Sequence, residues 1–309
     1  MGLALETSIQ VAILFIYMIV GMVLKKTNKL TKQGVTDATN ILLNVVTPCV
    51  LIHSYQQKDF NAELFKEWGF AFLLSVIIHI VIIIISTVIF RRRNNDNYGI
   101  NVFTSVYSNC GFMAIPLLTA TLGDNGVFFG STYLVVFTVL SWTHGVFVIS
   151  GDRKEISVKK LFLNPGVIGV SIALLLFFLK IKLPGILATP VSAIASMNTP
   201  LAIILLGTFL LGIKPTEIFK NLDVTIVTAL RLIIAPAITI LIAYFLPFSP
   251  DVKLSVIIPA ACPGATISAL FALRYNKNAN HATQIVSIAT LISIITLPLI
   301  ILLAQFVGI

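Results

Sequence analysis

The stretch SNCGFMAIP, residues 108–116, interrupts an apolar segment with Ser108, Asn109, Cys110 and Gly111 in a row, followed by Pro116. Glycine and proline weaken a helix, and an asparagine amide finds no partner in hydrocarbon. A second interrupted segment lies about half the chain further on. It reads SVIIPAACPGATISALFALRY, residues 255–275, with Pro259, Pro263 and Gly264 near its centre. What these two interruptions mean decides the fold.

Both sit in a chain built for lipid. Of its 309 residues, 57% are hydrophobic and only 11% charged, whereas soluble domains carry roughly 25% charged residues. Apolar runs of about 17–25 residues recur, each enough to cross a hydrocarbon core of roughly 30 Å. Strand-like alternation is absent, so the expected class is an all-α polytopic membrane protein. Ten transmembrane helices are expected, at 8–24, 38–54, 68–90, 98–122, 127–150, 163–179, 190–211, 223–245, 253–273 and 282–307. The connections are short and leave no room for a separate soluble domain. The first apolar run meets the basic stretch KKTNK and lacks a cleavage-site pattern, so it reads as a retained span.

The formal net charge of +9 comes mainly from connecting loops. Of 21 Lys and Arg residues, 15 fall on one side of the expected topology and 5 on the other; Arg231 lies within a span. The positive-inside rule puts the richer side in the cytoplasm, and with it both termini outside. The expected setting is the plasma membrane, crossed many times. No basic patch interleaved with aromatics exists, so nucleic acid is not an expected partner. Cys49, Cys110 and Cys262 lie in apolar segments without metal-ligand spacing, and neither a metal nor a cofactor is expected.

The two halves echo each other. Thr47–Pro48 in TPCVLI returns as Thr199–Pro200 in TPLAII, and the stripe Asn40–Asn44–Thr47 returns as Ser192–Ser196–Thr199. The spacing from Gly111 to Asn125 equals that from Gly264 to Asn278. A duplicated five-helix unit follows, with residues 1–152 as one copy and 153–309 as the other. Five is odd, so the second copy enters the membrane from the opposite side, giving inverted repeats.

In that arrangement the interruptions of the fourth and ninth spans are mates. Non-helical backbone at membrane depth survives only where protein or a water-filled cavity surrounds it. Paired breaks are the best sequence pointer to a transporter's binding site, because half-helix N-termini offer free N–H groups to an anion. The candidate binding residues are Asn109, Cys110, Gly111, Pro263 and Gly264, joined by Asn44 and Thr47 on the polar stripe. Arg231 is a further candidate, as an attractor of an anionic substrate, a gate contact, or a brace between helices. His79 is expected to make an interhelical hydrogen bond rather than relay protons. Asp37, Asp223 and Asp251 sit at span ends, so nothing negative near mid-depth would repel an anion.

SNCGFMAIPLL and, in the second half, AACPGATISALFALRYN followed by SIITLPLI resemble the two signature regions of the auxin efflux carrier family. That family includes plant hormone exporters and bacterial permeases for malate and similar carboxylates. The resemblance covers nearly the whole chain. It implies the broader fold of bile acid sodium symporters, in which the fourth and ninth helices are broken and cross. Spans 3–5 and 8–10 would then form a transport bundle, and spans 1, 2, 6 and 7 a scaffold that dimerises with a second copy. By the same resemblance Asn109 is the crossover asparagine, Pro263 the crossover proline, and Thr47–Pro48 part of the scaffold facing the site. Two features depart from the family's plant members. The connection GDRKEISVKK is short, and Cys262–Pro263–Gly264 carries no second asparagine. Both point to a bacterial-type permease.

The expected function is a secondary or facilitative transporter of a small organic anion, a carboxylate such as malate or an auxin-like acid, by alternating access. Proton and sodium coupling both stay open. The alternatives are an anion channel and a sodium- or proton-coupled symporter of a bile-acid-like substrate. An intramembrane enzyme would need a nucleophile and base; Ser108, Cys110 and His79 are the candidates, and no catalytic spacing links them.

Overall fold

Apolar runs in a chain that must satisfy its own backbone fold into helices, and helices dominate the structure. A computed structural model describes residues 2–91, 93, 96–157, 159, 162–210 and 221–309. Its main helices are α1 (Gly2–Lys26), α2 (Lys32–Gln56), α3 (Ala62–Arg91), α4 (Tyr98–Val106), α5 (Cys110–Ser150) and α6 (Pro165–Phe178). They continue with α7 (Gly185–Phe209), α8 (Leu222–Tyr244), α9 (Pro250–Ala261), α10 (Ile267–Arg274) and α11 (Ala279–Phe306). Among the described residues no strand forms, and 6 helices are long and apolar enough to cross a membrane: α2, α3, α5, α7, α8 and α11. The end of the seventh expected span, residue 211, lies outside the described residues.

Polar side chains set the helix starts. Thr31 accepts from the Gly34 N–H at 3.0 Å, Asn221 from Asp223 at 3.0 Å and Asn278 from His281 at 3.0 Å. Asn164 accepts from Gly166 at 2.9 Å, ahead of a helix whose first residue is Pro165. Each cap satisfies an N–H that the helix cannot. The expected loop between the fourth and fifth spans is instead a sharp kink inside α5, where Gly123 takes φ +59°. That left-handed conformation is open to glycine at little cost.

Prolines leave a second mark. Wide, π-type turns occur at Leu42–Val46, Cys110–Ala114 and Leu230–Ile234, just ahead of Pro48, Pro116 and Pro236. A proline ring pushes away the carbonyl four residues back and donates no hydrogen bond, so the preceding turn opens out. A fourth wide turn, Ser141–Gly145, has no such proline.

α1 packs along α7, and α2 along α6 and α7, while α5 lies against α3 and α9. Tyr55, Leu74, Phe103, Phe128 and Ile257 are buried between helices. Large apolar side chains such as Ile84, Leu175, Phe245 and Phe306 face outward, as a lipid-facing surface requires.

Polar contacts fasten the two ends. At the end expected to face the cytoplasm, Arg93 Nε lies 2.6 Å from Asp223 Oδ1, and Asn101 donates to Asp223 Oδ2 at 3.2 Å. The Asn101 Oδ1 atom lies 2.7 Å from His281 Nε2, which ties α4, α8 and α11 together. At the other end Ser54 donates to Asp124 at 3.1 Å, Asn125 donates to Asp251 at 2.7 Å, and Lys58 donates to Asn125.

Candidate functional site

The two interrupted segments cross. α4 ends at Val106, and Tyr107 turns extended, at φ −97° and ψ 111°. α9 ends at Ala261, with Cys262 extended at φ −67° and ψ 150°. The extended pieces then pair as a minimal antiparallel bridge with Ser108 opposite Gly264. Asn109 N–H donates to the Pro263 carbonyl at 2.7 Å, and Ala265 N–H donates to the Tyr107 carbonyl at 2.8 Å. The contact is reciprocal: each extended segment gives one donor and one acceptor. Pro263 has no N–H to offer and serves only as acceptor.

Gly264 is required by space. A Cβ there would run into the Thr104 methyl group and lie 3.1 Å from the Thr104 carbonyl oxygen. The pairing also fixes a register different from the one the sequence match implies. Gly111 and Gly264 align as mates in sequence, but the residue facing Gly264 is Ser108. Gly111 already belongs to the first turn of α5.

Four helix ends therefore meet at one place. α5 and α10 begin there, and among the described residues no backbone carbonyl accepts from the N–H groups of Phe112, Thr266 or Ile267, while the Gly111 N–H points at the Cys110 thiol. The helix dipole adds partial positive charge at those two starts. Beside them Asn109 is 5% exposed, and among the described residues its Nδ2 has no hydrogen-bond partner. A buried amide without a partner costs about 1–3 kcal/mol. Ser105 Oγ and Ser268 Oγ are buried without partners as well. Thr266 is exposed and Gly111 half-buried, so the starts of α10 and α5 are not sealed by packing.

α4 and α9 end there, and their carbonyls meet Arg231. The guanidinium, on the wide turn of α8, is 1% exposed. Its Nε donates to Cys262 O at 3.0 Å, and its Nη1 to Val106 O at 2.8 Å and Ser105 O at 3.3 Å. Its Nη2 donates to Ala260 O. Of the roles open to Arg231 from sequence, this geometry is the brace, since its donors point at backbone carbonyls of both crossing segments.

The other expected residues divide. Cys110 and Pro263 are buried at the crossing. Thr47 is buried on α2, and its hydroxyl donates to Leu42 O of its own helix at 3.0 Å. Asn44 is exposed and donates to Asn40 O at 2.8 Å, again within α2. Their counterpart Thr199 does reach across, donating to Pro116 O on α5 at 3.3 Å. His79 departs from expectation: its Nδ1 lies 2.7 Å from Ser75 O on its own helix, and Nε2 has no partner.

Tyrosines are what the sequence did not single out. The Tyr133 ring lies 4.5 Å from His79, and Ser108 Oγ lies 3.4 Å from the Tyr133 hydroxyl. The Tyr107 hydroxyl donates to Leu140 O at 2.9 Å and lies 2.8 Å from His144 Nδ1. A tyrosine in an apolar run reads as core, and only the fold shows the Tyr133 hydroxyl beside Ser108 at the crossing and the Tyr107 hydroxyl turned away to α5.

The comparisons with known proteins agree with this reading of the class. An uncharacterized transporter of Methanothermobacter thermautotrophicus strain Delta H is 24% identical over 309 residues, spanning 95% of this chain and 96% of its own length. The family model described as membrane transport protein matches residues 7–301, nearly the whole chain, and the auxin efflux carriers resembled by the two signature regions fall within it. Apolar helices, paired interruptions and this match together place the chain in the membrane transport protein family.

Proposed function

We propose that the chain is a secondary transporter of a small organic anion, a carboxylate such as malate or an auxin-like acid, and that the anion binds at the crossing of α4–α5 with α9–α10. The observation that carries this is the buried, unpartnered Nδ2 of Asn109 beside two half-helix starts with unpaired N–H groups. Donors from a side-chain amide and two helix starts converge, and among the described residues no carboxylate is ion-paired to Arg231 beside them. Oriented N–H groups and helix dipoles bind carboxylates without a dedicated side-chain cation.

In this reading ten spans form two inverted five-helix repeats in the plasma membrane, with both termini outside. The bundle of α3–α5 and α8–α11 moves against a scaffold of α1, α2, α6 and α7, and the scaffold pairs with a second copy. Unequal packing at the two ends supports alternating access. Toward the end expected to be outside, Tyr55 of α2 is locked to α5: its hydroxyl lies 2.6 Å from Ser131 Oγ and its ring 4.5 Å from Phe128. Toward the other end Asn40 and Asn44 of α2 and Thr266 at the start of α10 are exposed. A carrier must visit states closed at each end in turn, and the Tyr55 contacts would serve to close the outer one.

The test is counterflow in proteoliposomes. A carrier shows saturable uptake of labelled malate that speeds up when unlabelled malate is trapped on the opposite side. A channel shows unitary currents and no acceleration, and that result would replace this reading. Inactivity with malate and acceleration with another carboxylate would change the substrate and keep the mechanism.

A further inference from the structure

Arg231 is among the largest fully buried side chains of the protein, yet among the described residues no carboxylate lies within salt-bridge distance of it. Burying an unpaired cation is costly. Its compensation comes from the backbone. Ser105 and Val106 are the last residues of α4, Ala260 lies in the last turn of α9, and Cys262 follows that helix directly. A helix C-terminus carries about −0.5 elementary charge, so two of them offset about one positive charge. The four carbonyls form a cation site shared by both crossing segments, and the wide turn ahead of Pro236 carries the guanidinium to it.

We propose that Arg231 is a resident cation. Its guanidinium fills a ring of carbonyl oxygens that would otherwise have to take up a free cation for the crossing to form, so the crossing holds together without a metal ion. Oxygen rings of this kind are what hard cations such as sodium use, and here the oxygens are already engaged. The consequence for transport, that no alkali cation need enter this ring in the cycle, rests on the crossing being the carrying site. The occupancy of the ring does not.

Thermal unfolding of the purified full-length protein in detergent tests the occupancy without any transported anion, so its outcome stands apart from that of the transport reading. Wild type is expected to melt at the same temperature in sodium chloride and in tetramethylammonium chloride. Arg231→Ala opens the ring and melts lower. Low-millimolar guanidinium chloride, far below denaturing concentration, should raise the Arg231→Ala midpoint saturably by roughly 3–8 °C, with no rise in tetramethylammonium. No rise with either guanidinium or sodium would overturn the proposal, as would a sodium-dependent rise in wild type. Should Arg231→Ala not fold, Arg231→Lys and Arg231→Met decide it. Both fill the space, and only lysine brings charge and donors. Lysine melting well above methionine supports a resident cation; equal midpoints, or methionine the higher, overturn it.

Discussion

Ser108 faces Gly264 across the antiparallel bridge where the two interrupted helices cross, with Asn109 N–H on Pro263 O at 2.7 Å and Ala265 N–H on Tyr107 O at 2.8 Å. Two hydrogen bonds and one guanidinium hold together backbone that would otherwise be unsatisfied within the membrane.

Gly264 is where side-chain volume would break this contact. Gly264→Ala should cost about 1–3 kcal/mol, because its methyl group meets Thr104. Thr104→Ser removes the clashing methyl and keeps a hydroxyl able to donate to Ile100 O. Combined with Gly264→Ala it should recover part of the loss, read as a non-additive gain in melting temperature. Strict additivity would show that the cost does not come from the Thr104 methyl group.

Asn109 should separate function from stability. Among the described residues its Nδ2 has no partner, so Asn109→Ala relieves an unsatisfied group while losing the packing of the amide, and stability should fall by less than about 1 kcal/mol, if at all. Transport should nevertheless be lost. Asn109→Asp should be as inactive, because a carboxylate beside the two half-helix starts repels an anion. A large drop in melting temperature for Asn109→Ala would mean that the amide serves the fold instead.

Tyr55 fastens the closed end. Its hydroxyl accepts from Trp68 Nε1 at 2.7 Å and lies 2.6 Å from Ser131 Oγ. Tyr55→Phe leaves the half-buried indole N–H of Trp68 without this acceptor, at a cost of about 1 kcal/mol. If this contact closes the outer face, the same change should speed labelling of Cys110 by a membrane-impermeant thiol reagent applied from outside. Unchanged labelling would assign Tyr55 to packing alone.

Much of this architecture is written in residue types. Apolar runs mark the helices, and Pro116, Pro259, Pro263 and Gly264 mark where two of them fail. The register of the crossing is not written there. Matching Gly111 to Gly264 follows sequence similarity, whereas the pairing depends on where α4 and α9 release their chains, and that puts Ser108 opposite Gly264. The brace was one of the roles open to Arg231 in sequence, but its partners were hidden, because they are carbonyls and every residue has one. Asn44 and Thr47 look like a polar lining in sequence. Their side chains bond back to their own helix, an outlet that a helical Asn or Thr always has. Asn109 stood out in sequence because an amide beside a helix break has no such outlet, and the structure places it at the crossing.

The central claim is that the crossing binds a small carboxylate through Asn109 and the neighbouring N–H groups. Its most direct test is thermal unfolding of wild type and Asn109→Ala against a panel of mono- and dicarboxylates, since a ligand that binds the folded state raises its midpoint. Wild type should show a saturable rise of a few degrees with at least one carboxylate, and Asn109→Ala should lose it. A carboxylate that stabilises both proteins equally would contradict it.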